Sequence, residues 1–446
     1  MARVTSILPR FLRLALALIC LVGCVRSDSA GSRFQVASSS MAPGLLGPTL
    51  LAHCGTCRYE FAIAAETINA ELPTRCPNCG GLCTIDPTVH PGQTVTLQPL
   101  AASTDVQRWD VIAFKNVADS TTQVKRVWGL PGESIELRHG EAWVDGVKLR
   151  KSLAELRRVA VPVYDLWRGG ACRWRRCEAE PGDLELDWSG VAATIPVLNI
   201  QAGQCYQLQH VRPALVHPSD VPSKQWLAAS PVIDVYSINQ GLSTADHLVE
   251  DGLIRLQLQR PLASPLQISV RSGARILTVL FQAASFNAPT PPGAAAEHES
   301  NGLRQASTLA ADFRMAAQHS IELGWCDGRL LLETDLQSRV VEAEELETLP
   351  HTMHAAQTSR PAWEPSEICR ITTTQVVDIS HFHFARDLYL TDAPQLVADR
   401  GGRLAGELAG FYVLGDNLAA SRDSRHKLGR VLPAQLRGRI VPVPRP

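Results

Sequence analysis

The chain has 446 residues, with 43 Lys and Arg against 44 Asp and Glu and a formal net charge of −1. That length suits two or three domains with sizeable cores. The balanced charge gives no sign of a nucleic-acid surface, which would need a concentrated basic face.

One stretch is apolar enough to involve a membrane, and it opens the chain. Arg3, Arg10 and Arg13 precede an apolar run from Leu14 to Val25, the order of an export signal or of an anchor whose N-terminus stays inside. The run is shorter than the ~20 residues of a spanning helix, which favours a cleavable hydrophobic region. It ends in Leu21-Val22-Gly23-Cys24, which looks like a lipobox, where a lipoprotein is cut and its cysteine lipidated. A short signal-anchor helix is the competing reading. Either one makes residues 1–25 an export signal or membrane anchor. Either one also places the rest of the chain outside the cytoplasm, close to the bilayer.

Next comes Phe34-Gln35-Val36-Ala37-Ser38-Ser39-Ser40-Met41-Ala42-Pro43. A serine-rich stretch on its own reads as a linker. The order Ser-Met-x-Pro is more pointed. A nucleophilic serine needs a fixed rotamer and a nearby base; a Met beside it anchors the turn and a following proline stiffens it.

Residues 51–86 carry Cys54-Gly-Thr-Cys57 and Cys76-Pro-Asn-Cys79-Gly80-Gly81. Two C-x₂-C knuckles at this spacing fit a zinc ribbon, with Cys54, Cys57, Cys76 and Cys79 as expected ligands. Such a zinc would be structural, because four thiolates leave no position for water. Cys83 and His53 are near enough to be alternative ligands, and outside the cytoplasm disulfides compete with metal.

The run Arg108-Trp109-Asp110-Val111-Ile112-Ala113-Phe114-Lys115 and the run from Gln123 through Lys125 to Val127 alternate like half-buried strands. Gly129 to Gly132 is a Gly/Pro turn. A strand lysine such as Lys125 is, taken alone, a solvated one. Two hairpin strands follow, with turns at His139-Gly140 and Asp145-Gly146.

From about 151 to 405, short strands recur. Leu253 to Leu258 and Leu266 to Val270 alternate, and Ile321 to Trp325 faces Arg329 to Leu332 across Asp327-Gly328. This pattern suggests a β-sandwich. Residues 287–301, rich in Pro, Ala and Gly, read as a loop or internal linker. His381 and His383 alternate with Phe382 and Phe384 and read as surface rather than metal ligands. Cys172 and Cys177 are close enough in sequence to be disulfide candidates. The last segment runs from the apolar Phe411 to Leu414 into Gly415-Asp416-Asn417-Leu418-Ala419-Ala420-Ser421-Arg422-Asp423-Ser424-Arg425, in isolation an Asx-type loop with a local Asp–Arg pair.

Taken in order, these segments resemble the type I signal peptidases, or leader peptidases. Ser38 to Pro43 matches the serine box. Lys125 to Glu133 matches the lysine box, with the Lys-Arg-x-x-Gly-Leu-Pro-Gly-acid run intact. Gly415-Asp416-Asn417, Ser421 and Asp423-Ser424-Arg425 match the C-terminal box. The resemblance implies a mainly β protein. A signal-peptidase-like catalytic β-fold would form from residues 34–50, 95–150 and 406–446. A small zinc-ribbon-like insertion (51–86) and a large accessory β-sandwich-like insertion (151–405) would interrupt it.

The resemblance further implies a membrane-tethered serine endopeptidase that cuts exported preproteins after small residues, the A-x-A pattern. Ser40 would be the nucleophile and Lys125 the general base. Ser38, with the Ser40 N–H, would donate to the oxyanion, and Ser421 would orient the lysine. Asp423 would hold its loop through Arg425, while Gly415, Asp416 and Asn417 would shape the floor beside the lysine. No cofactor is implied for catalysis. The membrane is an implied partner, and an export translocon fits the same location. Substrate would pair as a strand along a sheet edge, with Val36 and the residues before Lys125 as candidate cleft walls.

The chemistry sets its own condition. A lysine ammonium has a reference pKa near 10.4 and is no base at neutral pH. Burial lowers that value and frees the amine to take a proton from a hydroxyl. A carboxylate in contact would reverse the effect, so Asp416 and Asp423 are expected not to touch the amine. Departures from the family pattern are Trp109, where a glycine is usual, and Leu418-Ala419-Ala420, where Arg-Asp-Asn is usual. The Pro-Thr-Leu that usually follows the serine is also displaced, to Pro48-Thr49-Leu50. Two other functions fit the same sequence: a non-catalytic envelope lipoprotein using the scaffold for binding, and a Ser/Lys protease dedicated to one partner.

Overall fold

The structure is a computed structural model. It describes residues 33–442 apart from 56–57, 69–72, 79–80, 167–172, 178–196, 214–226, 230, 235, 240–246, 261, 263–265, 273–274, 282–293, 301–302, 312–319, 335–337, 342–365, 392–408 and 427. The N-terminal apolar segment with Cys24, and Cys57, Cys79 and Cys172, lie outside these residues. Among the described residues no helix is long and apolar enough to cross a membrane.

The protein is mainly β; among the described residues the one α-helix is Leu153–Val159. The first ten strands are β1 (Arg33–Gln35), β2 (Thr49–Cys54), β3 (Glu60–Ala64), β4 (Cys83–Ile85), β5 (Thr94–Gln98), β6 (Val111–Lys115), β7 (Thr122–Gly129), β8 (Ile135–Arg138), β9 (Glu141–Val144) and β10 (Val147–Lys148). A six-stranded antiparallel sheet draws on both ends of the chain. Its order is β1, β5, Leu436–Pro442, β6, β7, Tyr412–Leu414. The alternation in β6 explains its place at the centre. Ile112 and Phe114 pack with Val127, Phe411, Val413 and Val431. Ala113 packs with Val36, Met41, Leu45, Val95 and Ile440. Val36 is therefore core beneath the serine loop, while Val124 is only partly buried. β2 is the centre of a three-stranded sheet flanked by β3 and β4.

β8, β9 and β10 form a meander whose turns sit at His139-Gly140 and Asp145-Gly146. Their φ values are 50° and 87°, then 50° and 80°, the paired positive values of a type I′ hairpin turn. The helix Leu153–Val159 starts at a capping box in which Ser152 and Glu155 exchange side-chain and backbone hydrogen bonds. Leu153 and Leu156 pack on Leu253 and Leu331, whereas Val159 packs among Trp109, Trp128 and Tyr236. The helix thus rivets the part carrying β6 to β9 to the inserted part.

Among the described residues the inserted part holds a small two-stranded sheet, Val211–Pro213 with Leu227–Ala229, and two seven-stranded sheets. One contains Gly252–Leu258, Ser320–Cys326, Arg329–Thr334 and Val377–Arg386; the other contains Cys205–Gln209, Leu266–Ser272, Arg275–Phe281 and Glu367–Thr373. Residues of both enter one core, including Leu256, Leu323, Phe382 and Phe384 from the first and Leu208, Ile268, Val279 and Ile371 from the second. Two faces sharing one core make a sandwich. Phe382 and Phe384 point into it, which turns His381 outward and leaves His383 beside Asp165.

Two local expectations are corrected. Cys177 bonds Cys205 rather than Cys172. The antiparallel register Arg176↔Tyr206 sets Cys177 opposite Cys205 with a Cα–Cα distance of 5.3 Å, so strand pairing outweighs nearness in sequence. Residues 287–301 are not all linker, since Ala294–Ser300 is a strand paired with Arg275–Phe281 and Leu303–Ala311. Neighbouring strands recruit a segment whose own β preference is weak.

Candidate active site

The serine loop lies between β1 and β2. Ser39–Met41 is a single 3-10 turn. It is anchored from below by Met41, which is 1% exposed. Ser38 Oγ donates to Ser40 Oγ at 3.2 Å. Lys125 reaches the same oxygen from β7, where it pairs with Ile112. Its Nζ is 2.9 Å from Ser40 Oγ, although the two residues are 85 positions apart. The turn after Lys125 is fixed by the acid of its own motif. Glu133 accepts from the Leu130 N–H at 2.7 Å and from Arg108 at 2.7 Å.

The C-terminal segment closes over both. Tyr412–Leu414 pairs with β7, which delivers Gly415, Asp416 and Asn417 to the serine loop. Asn417 N–H donates to the Ser40 carbonyl at 3.1 Å, and its side-chain amide donates to the Ser39 carbonyl at 3.1 Å. Gly415 has no room for a side chain: a Cβ there would fall 2.4 Å from the Ser40 carbonyl oxygen and 2.3 Å from Ser421 Oγ. Asp416 takes a two-pronged ion pair from Arg126, at 2.7 and 2.6 Å. Asp423 accepts from the Gly415 N–H at 3.1 Å and from Arg425 at 2.9 and 3.0 Å. Ser421 Oγ is buried beside Gly415 and makes no hydrogen bond to Lys125. Ser424, which sequence reasoning left without a role, accepts from the Val413 N–H and donates to the Gly429 carbonyl.

The electrostatics follow from these contacts. Lys125 is 5% exposed, and burial pushes its amine down from 10.5 to about 8. The charges of Asp423 and Asp416 pull the other way and lose. Among the described residues neither carboxylate is within salt-bridge distance of the amine, because Arg126 occupies one and Arg425 the other. Burial likewise raises Asp423, but the hydrogen bonds and charge of Arg425 outweigh it and hold the carboxyl below its usual range. A partly neutral amine touching a hydroxyl can move a proton.

Residues 8–161 match the signal peptidase family, peptidase S26. The matched stretch takes in the serine loop, the cysteine-rich sheet, Lys125 and the helix Leu153–Val159, and it supports a peptidase of that family. The C-terminal box lies beyond it and joins the site through the sheet. No curated protein matches the chain.

Three supports of this signal-peptidase-like site escaped the sequence reading. Glu66, just past β3, accepts from the backbone N–H of Ser39 at 2.8 Å and from its hydroxyl. Asn239, deep in the large insertion, exchanges two amide hydrogen bonds with Asn417, at 2.7 and 2.8 Å. Tyr236 donates to the Asp416 carbonyl at 2.9 Å. No local pattern marks these residues, since each acts on a loop remote in sequence. The departure at Trp109 also has a cause. Its φ of 72° lies in the left-handed region that favours glycine. Here the indole packs edge-on against Trp128 with ring centres 4.7 Å apart and donates to Glu155 at 2.7 Å. Burial of a large aromatic offsets a strain on the order of 1 kcal/mol.

Proposed function

We propose that the protein is a serine endopeptidase with a Ser/Lys dyad, which removes signal peptides from exported preproteins by cutting after small residues. The observation that carries this is the buried Lys125 amine 2.9 Å from the Ser40 hydroxyl. In the neutral form Lys125 takes the Ser40 proton as the oxygen attacks the scissile carbonyl, then returns it to the leaving amine. Water, deprotonated by the same amine, releases the acyl group. The Ser40 N–H sits in the first turn of a 3-10 helix, where amides have no partner within the helix. With the Ser38 hydroxyl it would hold the oxyanion. Ser421 fits a supporting role through the amine or a bound water. Residues 1–25 would tether the enzyme to the membrane facing outward, by a helix or by lipid on Cys24, where preproteins emerge from an export translocon.

The test is cleavage of an A-x-A preprotein by the full-length protein in detergent, with the new N-terminus sequenced. The parent should cut after the second small residue and Ser40→Ala should not. A parent that fails on every preprotein but retains a binding partner would turn the case towards the non-catalytic scaffold. Cutting confined to one co-purifying protein would make it a dedicated protease.

Asn239 supplies a second test, as a positioning residue. Asn239→Ala removes both bonds to Asn417 and leaves the buried Asn417 Oδ1 without its donor, at a cost of about 1–3 kcal/mol. The serine loop then loosens against the base. Turnover should fall by roughly tenfold or more, as small misplacements do, with KM little changed, and Asn239→Asp should not restore it. Steady-state kinetics on one preprotein decides this.

A further inference from the structure

We propose that Cys54, Cys76 and Cys83 are three thiolate ligands of one structural zinc ion. Their sulfurs lie within 4.8 Å of one another. Tetrahedral zinc with bonds of about 2.3 Å requires sulfurs roughly 3.8 Å apart, so a single ion fits between them. The backbone brings the three together by separate routes. Cys54 ends β2 and Cys83 begins β4, where they are antiparallel partners. Cys76 arrives on a turn closed by its N–H to the Gly81 carbonyl at 2.9 Å, next to the Cys83 N–H bonded to Thr74 at 3.0 Å.

A second observation points to a thiolate. The Asn78 N–H donates to the Cys76 sulfur at 3.4 Å, and amide donors aimed at sulfur favour the anion. The surroundings also call for a staple. Among the described residues the apolar cluster here is small, Cys54 and Cys76 with Tyr59 and Cys83 packed against it, too little to hold a sheet end together. Zinc suits three thiolates and is inert to redox change.

The proposal stands apart from the peptidase reading, although the two meet at the other end of the same sheet. There Ala65 N–H bonds the Pro48 carbonyl at 3.0 Å and Glu66 holds Ser39. A metal staple would fix the sheet on which that prop stands.

The experiment uses the full-length protein, purified without chelator. Zinc content should be about one per chain. Alkylation mapped by mass spectrometry should find Cys83, which is partly exposed, protected in the zinc form and modified after chelation. Replacing zinc with cobalt should give thiolate-to-metal charge-transfer absorption, and Cys83→Ser should lower both that absorption and the zinc affinity, the latter by at least about tenfold. A protein that carries no metal and holds these cysteines as disulfides overturns the proposal. So does a zinc-loaded protein in which Cys83 alkylates as fast with metal as without. The alkylation arm needs no variant, so misfolding of Cys83→Ser would not protect the idea.

Discussion

Lys125→Met is expected to abolish cleavage and at the same time raise the melting temperature. In the proposed mechanism the amine is the base on which Ser40 depends, so its loss should cost on the order of 10⁴-fold or more in rate. By the same mechanism the parent is active with the amine neutral. Activity should therefore rise with pH through about 8 and then level off. A profile flat from pH 6 to 9 sinks the neutral-amine mechanism.

Stability moves by the same linkage. The folded-state value of about 8 lies below the ordinary 10.5, so between these values the unfolded chain binds more protons than the folded one. Stability therefore falls as pH drops from about 10.5 to 8 and is lowest below that window. A thioether of similar length has no charge to bury. The gain is bounded at about 3 kcal/mol by the size of the shift and is reduced by about 1 kcal/mol for the hydrogen bond lost by Ser40. Thermal melts of both proteins should differ most at pH 6.5 and converge above pH 10. A variant less stable than the parent at pH 6.5 would show that the lysine is held as an ammonium.

What could be read in the sequence was whatever neighbouring residues encode. Alternation located β6 and β7, and the pairs His139-Gly140 and Asp145-Gly146 fixed two hairpin turns because few residues tolerate positive φ twice in succession. Motif order flagged Ser40 and Lys125, and the structure sets their side chains in contact across 85 residues. Nothing local could signal Glu66 or Asn239, since each is an ordinary polar residue until the sheet and the sandwich bring it to Ser39 and Asn417. The bond from Cys177 to Cys205 was missed for the same reason, because it depends on a strand register and not on spacing. Trp109 shows a limit of another kind. A glycine-favouring φ can be held by a bulky side chain when enough packing surrounds it, as Trp128 and Glu155 do here.

Asp416→Ala should be the most destabilising single change in the site. Arg126 and Asp416 are 5% and 2% exposed and share two short hydrogen bonds, while Arg126 also donates to the Trp109 carbonyl at 2.9 Å. The attraction of Asp416 overcomes the burial of Arg126 and holds the guanidinium above its ordinary value. Without Asp416, the cation is buried and largely unpaired, at a cost of about 3–5 kcal/mol. Lys125 also feels the change. Asp416 normally raises its pKa, and removing that charge shifts the midpoint of the pH–rate profile to lower pH in whatever fraction still folds. The pair itself need not be net stabilising, because two apolar residues of similar volume can replace such a pair at little cost. The double variant Arg126→Met/Asp416→Leu should therefore recover most of the stability lost in Asp416→Ala. Denaturant melts of the parent and both variants separate the cases. A loss below about 1 kcal/mol for the single change would mean that water reaches the guanidinium, and a solvated Arg126 would leave the neighbouring Lys125 too wet to be a base.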